Sequence, residues 1–190
     1  MNKLRLYNVE DDYIEYLRNN IDKRVFSNKE EEVAKGQAKE RKYLGVVLNI
    51  KDFKYFVPLS SPKQDTDYIE IGGIKKIRKS IVPIMRIVVK NSVGDDELKG
   101  TLKFSNMIPV PECALIKYDV NYEVDENYKI LVIKELSFIF SKVNAIIKNA
   151  HVIYTQKIKK EQINYLYNTV DFLKLEKACK AYEEGKKQKN

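Results

Sequence analysis

Two hydroxyl groups and a cation stand on a stiff corner of the chain, in the stretch "YFVPLSSPKQD" that covers residues 55–65. An apolar, β-prone run ends there, and Ser60, Ser61, Pro62 and Lys63 follow it at once. Serine and proline favour turns for backbone reasons, so one interpretation is a strand followed by a turn with a solvated lysine. The other interpretation is a preorganised polar site at the end of a strand.

Two kinds of chemistry use these groups. As S-x-x-K, the corner matches the nucleophile motif of penicillin-binding proteins, but that motif begins a helix and the sequence has neither S-D-N nor K-T-G. RNA offers another chemistry, because its own 2′-hydroxyl can attack the adjacent phosphate. The protein then supplies donors for the developing phosphorane charge and groups that transfer protons. Lysine and serine side chains can do this without a metal ion or a histidine.

The elements that position this corner are predicted to be β-hairpins. The first is "YLGVVLNIKDFKYFVPL" (43–59), and a second, longer hairpin is predicted over 84–110 with "GDDE" (94–97) at its tip. A strand is predicted over 4–9, and 113–120 is either a further strand or a short connecting element.

Helices are predicted on both sides of the β-rich region. Residues 11–21 have helical spacing, with Asp11 or Asp12 as the N-cap. Residues 128–150 are apolar around most of the circumference, which predicts a helix buried on more than one side. Residues 159–185 predict one amphipathic helix, whose buried face would carry Ile163, Leu166, Tyr167, Val170 and Leu173.

This layout predicts an α+β fold, a compact and strongly curved antiparallel sheet or small barrel with flanking helices. We predict a single domain over 1–190, with its β-rich centre at about 43–120 and its helical C-terminal part at about 128–185.

The charge favours a polyanionic partner, because the formal net charge is +8 and the pI is about 9.2. One histidine, His151, leaves little material for a zinc site or a histidine-based triad, and it is predicted at a helix end. Cys113 and Cys179 are predicted to be small core residues. No apolar run approaches the ~20 residues that span a bilayer, and residues 1–13 lack a signal peptide's apolar stretch, so we predict a cytoplasmic protein without a membrane partner.

Several motifs in the same order resemble the toxins of type III toxin–antitoxin systems, the ToxN/AbiQ/CptN endoribonucleases. The corner and the strands before it carry the most specific of them, a segment of the form G-(I/V)-V-L followed by K-Y-(F/L)-x-P-L-(T/S)-S-P-K. The matching positions are 45–48, 54–56, 58–63, 106–109, and 128, 129, 134, 136, 138 and 139. The opening "LRLYNVEDDYIEYL" is similar to the family's N-terminal strand and helix.

The resemblance implies an extended MazF/Kid-like, SH3-like barrel that cuts single-stranded RNA without a metal ion or other cofactor. The products would carry 2′,3′-cyclic phosphate and 5′-hydroxyl ends. It also implies inhibition by a repeated RNA antitoxin that folds into pseudoknots and assembles with the toxin, and a role in phage defence by abortive infection. The alternative is a non-catalytic, basic RNA-binding module.

The resemblance also assigns residues. Ser60, Ser61 and Lys63 are carried over as catalytic, and Arg41 is the best match for a second catalytic cation, with Lys39 and Lys42 as alternatives. Arginine stabilises phosphate charge well but is a poor base, since it stays protonated. The stretch 70–79 resembles an insertion, and its cations are expected to position RNA rather than read bases. The predicted RNA-binding residues are Lys39, Lys42, Lys54, Tyr55, Lys75, Lys76, Arg78 and Lys79.

Overall fold

A computed structural model describes residues 4–28 and 41–188, in which most strands lie in the first two thirds of the chain and four helices follow them. The strands are β1 (Arg5–Val9), β2 (Tyr43–Ile50), β3 (Phe53–Ser60), β4 (Tyr68–Ile71), β5 (Ile74–Ile77), β6 (Ile84–Lys90), β7 (Asp96–Lys103), β8 (Ile108–Pro109) and β9 (Leu115–Lys117). The helices are α1 (Asp11–Asn20), α2 (Gln64–Asp67), α3 (Glu126–Ser141), α4 (Val143–Ile158), α5 (Asn164–Tyr167) and α6 (Phe172–Lys187).

The main sheet is antiparallel and runs in the order β6-β7-β3-β2-β1-β9. Strand β3 lies near the centre of the sheet. On the side away from β2, it pairs with β8 at Tyr55 and Phe56 and with β7 at Leu59 and Ser60. Strands β4 and β5 form a separate two-stranded sheet. The predicted α+β class with an antiparallel sheet and flanking helices is confirmed, but the strands described here do not form a closed barrel.

Both predicted hairpins are present. Strands β2 and β3 pair around a short turn after Ile50, and Gly45 allows them to approach, because a Cβ there would lie 2.0 Å from Cδ1 of Phe56. Strands β6 and β7 pair around a tip that contains Gly94, whose φ of 92° suits glycine. In residues 113–120 the short strand β9 lies between two single 3-10 turns, Glu112–Ala114 and Val120–Tyr122.

The single helix predicted over 128–150 is wrong, because the chain forms α3 and α4 with a break at Lys142. Each helix buries one face, and on α3 Ile130 and Ile133 are about half exposed. The apolar run therefore contains two helices, each with its own buried face. Some of its apolar residues lie at the surface, so no helix is buried on all sides. His151 lies in the middle of α4, not at a helix end, and is exposed.

The single C-terminal helix predicted over 159–185 is also wrong. The chain forms the short α5 and then α6, whose first turn is capped by Asp171, with its carboxylate accepting from the Lys174 backbone N–H at 3.2 Å. Tyr167 and Leu173, predicted on the buried face, are exposed. The residue that precedes α1 is Glu10, which makes no side-chain cap, so neither Asp11 nor Asp12 is the N-cap.

One cluster of buried apolar side chains joins the sheet to the helices, from Leu4 to Ala178. Glu176 of α6 lies within it and accepts hydrogen bonds from the phenols of Tyr55 at 2.7 Å and Tyr154 at 2.8 Å. This shared core supports our proposal of a single domain. Of the two cysteines, Cys179 is buried but Cys113 is exposed, so only the first is a core residue. None of the helices described here combines the length and apolarity that a membrane crossing requires.

Candidate active site

The corner begins where β3 ends, at Ser60, which is only 6% exposed. Ser60 lies opposite Thr101 of β7, whose hydroxyl donates to the Ser60 carbonyl at 3.4 Å. One residue earlier, the Leu59 N–H donates to the carbonyl of Lys42 at 2.9 Å. The sheet therefore holds the backbone of the serine on both sides, which makes its side chain a fixed group rather than one on a free loop.

Arg41 is the cation that reaches Ser60. Its Nη1 donates to Ser60 Oγ and to the Leu59 carbonyl, each at 2.9 Å, and its Nε donates to the Ser27 carbonyl at 3.2 Å. The ring of Phe26 lies 4.8 Å from the guanidinium carbon. Because the guanidinium occupies a lone pair of Ser60 Oγ, the hydroxyl hydrogen is left to donate to a bound group.

Ser61 and Lys63 follow on the exposed side of the corner. Two hydrogen bonds to Asp67 fix the backbone at Lys63. The Lys63 N–H donates to Asp67 Oδ2 at 2.9 Å, and the Asp67 N–H donates to the Lys63 carbonyl at 2.9 Å. Lys63 thus precedes the first turn of α2 with its backbone fixed and its side chain in solvent. The geometry presents a buried serine, bonded to a partly buried arginine, next to an exposed hydroxyl and an exposed ammonium.

A buried ion pair anchors the segment after the corner, and the sequence interpretation missed it. Asp67 and Arg86 of β6 are both buried, with 3.0 Å between Oδ1 and Nη2. Arg86 also donates to the carbonyls of Thr66 at 3.1 Å and Lys79 at 2.8 Å, so it holds both ends of the segment 66–79. The available signal was an arginine in the middle of the apolar strand "IMRIVV".

The segment 66–79 contains the hairpin β4–β5 and the predicted basic cluster of Lys75, Lys76, Arg78 and Lys79. Lys75, Lys76 and Lys79 are exposed, and the Lys75 ammonium lies 4.8 Å from the centroid of the Tyr68 ring. The Arg78 Nε donates to the Tyr68 carbonyl at 2.9 Å. These cations therefore lie on a structured hairpin that starts directly after the corner.

Three other predicted RNA-binding residues lie elsewhere. Tyr55 is fully buried, so it cannot stack on a base. Lys42 is buried, with its ammonium 4.3 Å from the centroid of the Tyr118 ring. Lys54 is the second residue of β3, about 20 Å along the strand from Ser60, and it pairs with Glu112 at 2.6 Å. Lys39 lies outside the described residues.

A buried carboxyl group lies behind the corner, on α3. Glu135 is 7% exposed, and burial raises its pKa to about 8. It packs against Gly100 of β7, where a Cβ would lie 2.3 Å from Glu135 Oε1 and 3.4 Å from the Ser60 carbonyl oxygen. The sequence interpretation missed this residue because it lies within an apolar run. In residues 4–28 and 41–188, no three His, Cys, Asp or Glu side chains come together as a possible metal site.

Comparison with known proteins identifies the family. The family model described as "Toxin ToxN, type III toxin-antitoxin system" matches residues 5–180. The chain belongs to this toxin family. ToxN-family membership and the endoribonuclease activity predicted from the motifs are thereby confirmed, since the curated relatives are endoribonucleases.

Two curated relatives cover nearly the whole chain. The endoribonuclease AbiQ of Lactococcus lactis subsp. lactis is 29% identical over 179 residues, which is 94% of this chain and 89% of AbiQ. The endoribonuclease ToxN of Bacillus thuringiensis subsp. kurstaki is 28% identical over 187 residues, 95% of this chain and 84% of that ToxN.

Two solved structures share the fold. One is the toxin of a bacterial type III system that is selectively inhibited by a non-coding RNA pseudoknot, with a TM-score of 0.76, 25% identity, and coverage of 96% of this chain and 99% of that one. The other is AbiQ, a lactococcal anti-phage endoribonuclease, with a TM-score of 0.73, 25% identity and the same coverage.

Proposed function

We propose that this endoribonuclease toxin cuts single-stranded RNA at the Ser60 corner by attack of the substrate's 2′-hydroxyl on the adjacent phosphate, without a metal ion. The bond from the 2′-oxygen to phosphorus forms as the 2′-hydroxyl loses its proton to solvent water, and the bond from phosphorus to the 5′-oxygen breaks as that oxygen takes up a proton. This leaves a 2′,3′-cyclic phosphate and a 5′-hydroxyl end. The observation that supports this most is the Arg41–Ser60 hydrogen bond of 2.9 Å at a rigid strand end, beside the exposed Ser61 and Lys63.

The roles follow from the chemistry of each group. Arg41 stays protonated and so supplies charge and orients Ser60, whose hydroxyl hydrogen donates to a non-bridging phosphate oxygen. Ser61 supplies a second hydroxyl donor. The Lys63 ammonium neutralises the phosphorane and is the candidate proton donor to the leaving 5′-oxygen.

The antitoxin is proposed to be a repeated RNA that folds into pseudoknots and forms a hetero-oligomer with the toxin. A related type III toxin is selectively inhibited by an RNA pseudoknot. An RNA inhibitor suits the same groove as the substrate, and the exposed lysines of β4–β5 can hold its phosphates. We propose abortive infection against phage as the role, because AbiQ is an anti-phage enzyme, and the cytoplasm as the location.

A MazF/Kid-like, SH3-like barrel remains our proposal for the fold relationship. It is supported by the way β3 pairs with β2 on one side and with both β7 and β8 on the other, an arrangement that suits a bent sheet. Superposition of β2, β3 and β7 on a MazF structure tests it.

The test of function is cleavage of single-stranded RNA by the purified protein in EDTA, with end-group analysis of the products. Cleavage that persists in EDTA, gives cyclic phosphate ends and is lost in Lys63→Ala supports the proposal. RNA binding without cleavage by the wild-type protein would indicate a non-catalytic RNA-binding module instead.

A further inference from the structure

A second basic surface lies in a cleft between the end of α4, α5 and the start of α6, with a volume of about 580 Å³. The charged side chains that line the cleft are the cations Arg24, Lys157, Lys160, Lys174 and Lys177 and the acids Glu161 and Asp171. The cations outnumber the acids, so the cleft attracts anions.

Two of these cations are fixed at the floor of the cleft. Arg24 donates to both carboxylate oxygens of Asp22 at 2.8 Å and to the Tyr167 carbonyl at 2.9 Å. Lys157 donates to the Leu166 carbonyl at 2.7 Å, and burial together with the nearby Arg24 lowers its pKa. These contacts hold the loops that shape the cleft.

The other three cations form an exposed rim, which consists of Lys160, Lys174 and Lys177. Lys174 has only a distant carboxylate partner, Asp171 at 4.0 Å. Within the described ranges no carboxylate pairs with Lys160 or Lys177. The rim lysines can therefore bind an anionic ligand, whereas Arg24 is already bonded to the Asp22 carboxylate.

An exposed aromatic side chain lies among these lysines. Tyr167 is 67% exposed and lines the cleft, and its phenol donates to Gln162 Oε1 at 3.1 Å, which limits the orientation of the ring. A basic groove with an exposed, oriented ring is the combination that binds single-stranded nucleic acid, since the ring stacks on a base and the cations contact phosphates.

A short segment connects the cleft with the catalytic corner. Arg24 lies at its start, and Phe26 and Ser27 contact the Arg41 guanidinium at its end. Three residues span at most about 11 Å between the Cα atoms of Arg24 and Ser27. The Arg24 side of the cleft therefore lies close to the corner, within the span of a few nucleotides.

We propose that this cleft is a subsite for the single-stranded RNA substrate, in which the rim lysines bind phosphates and Tyr167 stacks on one base that flanks the scissile linkage. The inference rests on the proposed function and adds to it a place where nucleotides outside the reacting pair are held. The subsite contributes to binding and not to the chemical step.

The test compares two triple variants with the same loss of charge. The rim variant is Lys160→Ala/Lys174→Ala/Lys177→Ala, and the control variant removes three exposed lysines elsewhere, Lys90→Ala/Lys148→Ala/Lys180→Ala. A labelled single-stranded RNA is used to measure Kd over a range of salt, and then KM and kcat for cleavage. Thermal unfolding checks that both variants fold.

The rim variant is expected to raise Kd and KM at least tenfold with kcat within about twofold, and to lower the salt slope of binding by about 2, as expected for about three lost phosphate contacts. The control variant should change Kd much less. Tyr167→Ala should raise Kd about tenfold, and Tyr167→Phe should restore it, because stacking needs the ring and not the hydroxyl.

Equal Kd values for the rim and control variants would overturn the subsite, whether or not the protein cleaves RNA. Wild-type protein that binds RNA but does not cleave it would instead overturn the proposed function, and the binding comparison would still decide the cleft. A fall in kcat alone in the rim variant would also contradict the inference.

Discussion

At the scale of single residues, the site depends on how Arg41 and Ser60 constrain each other. The guanidinium bonds to Ser60 Oγ, the Leu59 carbonyl and the Ser27 carbonyl at once, which only a planar fork can do. In our proposal this leaves the serine hydroxyl to donate to the phosphate of the substrate. Lys42, the next residue along, could not replace it, because that side chain is buried against Tyr118.

Arg41→Lys should therefore lower the cleavage rate about tenfold, although the charge is kept, because an ammonium cannot make the same set of hydrogen bonds. Arg41→Ala should lower the rate about 10²–10³-fold, the usual cost of losing a donor aimed at transition-state charge. Single-turnover cleavage measures both. Equal rates for wild type and Arg41→Lys would show that the fork geometry is irrelevant.

Glu135 gives a residue-scale prediction about pH. Its pKa is about 8 in the folded protein against an ordinary 4.5, so the folded state holds a proton that the unfolded chain loses. Its stabilising contribution is complete below pH 4.5 and is lost as the pH rises towards about 8, by at most about 1.4 kcal/mol per pH unit. Glu135→Gln should flatten this fall and be more stable than wild type at pH 8.

Urea unfolding from pH 5 to pH 8.5 measures this effect. Glu126→Gln, at the exposed start of the same helix, is the control and should follow the wild-type curve. If Glu135→Gln falls with pH as steeply as the wild type, the carboxyl group is not protonated in the folded protein.

At the scale of elements, the corner is held by a segment that comes after it in sequence. Asp67 accepts from the Lys63 N–H and pairs with Arg86, and Arg86 binds the carbonyls of Thr66 and Lys79. Strand β6 thereby anchors both the Ser60 corner and the basic hairpin β4–β5. Removal of one partner leaves the other charge buried without compensation.

Arg86→Met or Asp67→Ala alone should each destabilise the protein by about 3–5 kcal/mol, whereas the double variant should lose less than the sum of the two. Urea unfolding of the four proteins gives this coupling. The double variant should still cleave RNA more slowly than wild type, because the Lys63 backbone loses its Asp67 partner. Additive losses of stability would contradict the pairing.

The elements also show what local sequence can and cannot predict. Both hairpins follow from β-prone runs with turn residues between them, and "GDDE" marks a tip that the structure confirms. The break at Lys142 has no proline or glycine to signal it, so one apolar run conceals two helices. The Asp67–Arg86 pair joins residues on separate elements, and no local pattern predicts which buried arginine will meet which aspartate.

The same limit applies to the site. Ser60, Ser61 and Lys63 are adjacent, so a short motif places them together, and Arg41 could be chosen by resemblance to the family. Lys54 and Tyr55 were placed near the corner only because they are near in sequence. Because an extended strand lengthens with every residue, Lys54 and Tyr55 lie away from Ser60 along β3, and Tyr55 is also buried in the core.

At the scale of the whole molecule, three groups of cations in the described residues belong to our proposal for RNA binding. Arg41 and Lys63 lie at the corner, the lysines of β4–β5 lie beside it, and the rim lysines lie in the cleft that residues 24–27 connect to it. We propose that a single RNA strand contacts all three. The same surfaces would let an RNA antitoxin inhibit the enzyme by occupying its substrate groove.

The most direct test of this mechanism is single-turnover cleavage, in EDTA, of two RNAs that differ only by a 2′-deoxy substitution at the nucleotide whose 2′-hydroxyl attacks. We predict that the unmodified RNA is cut to a 2′,3′-cyclic phosphate end, while the substituted RNA binds with similar affinity and is not cut at that position. Cleavage of the substituted RNA at an undiminished rate would contradict attack by the substrate's own hydroxyl at the Ser60 corner.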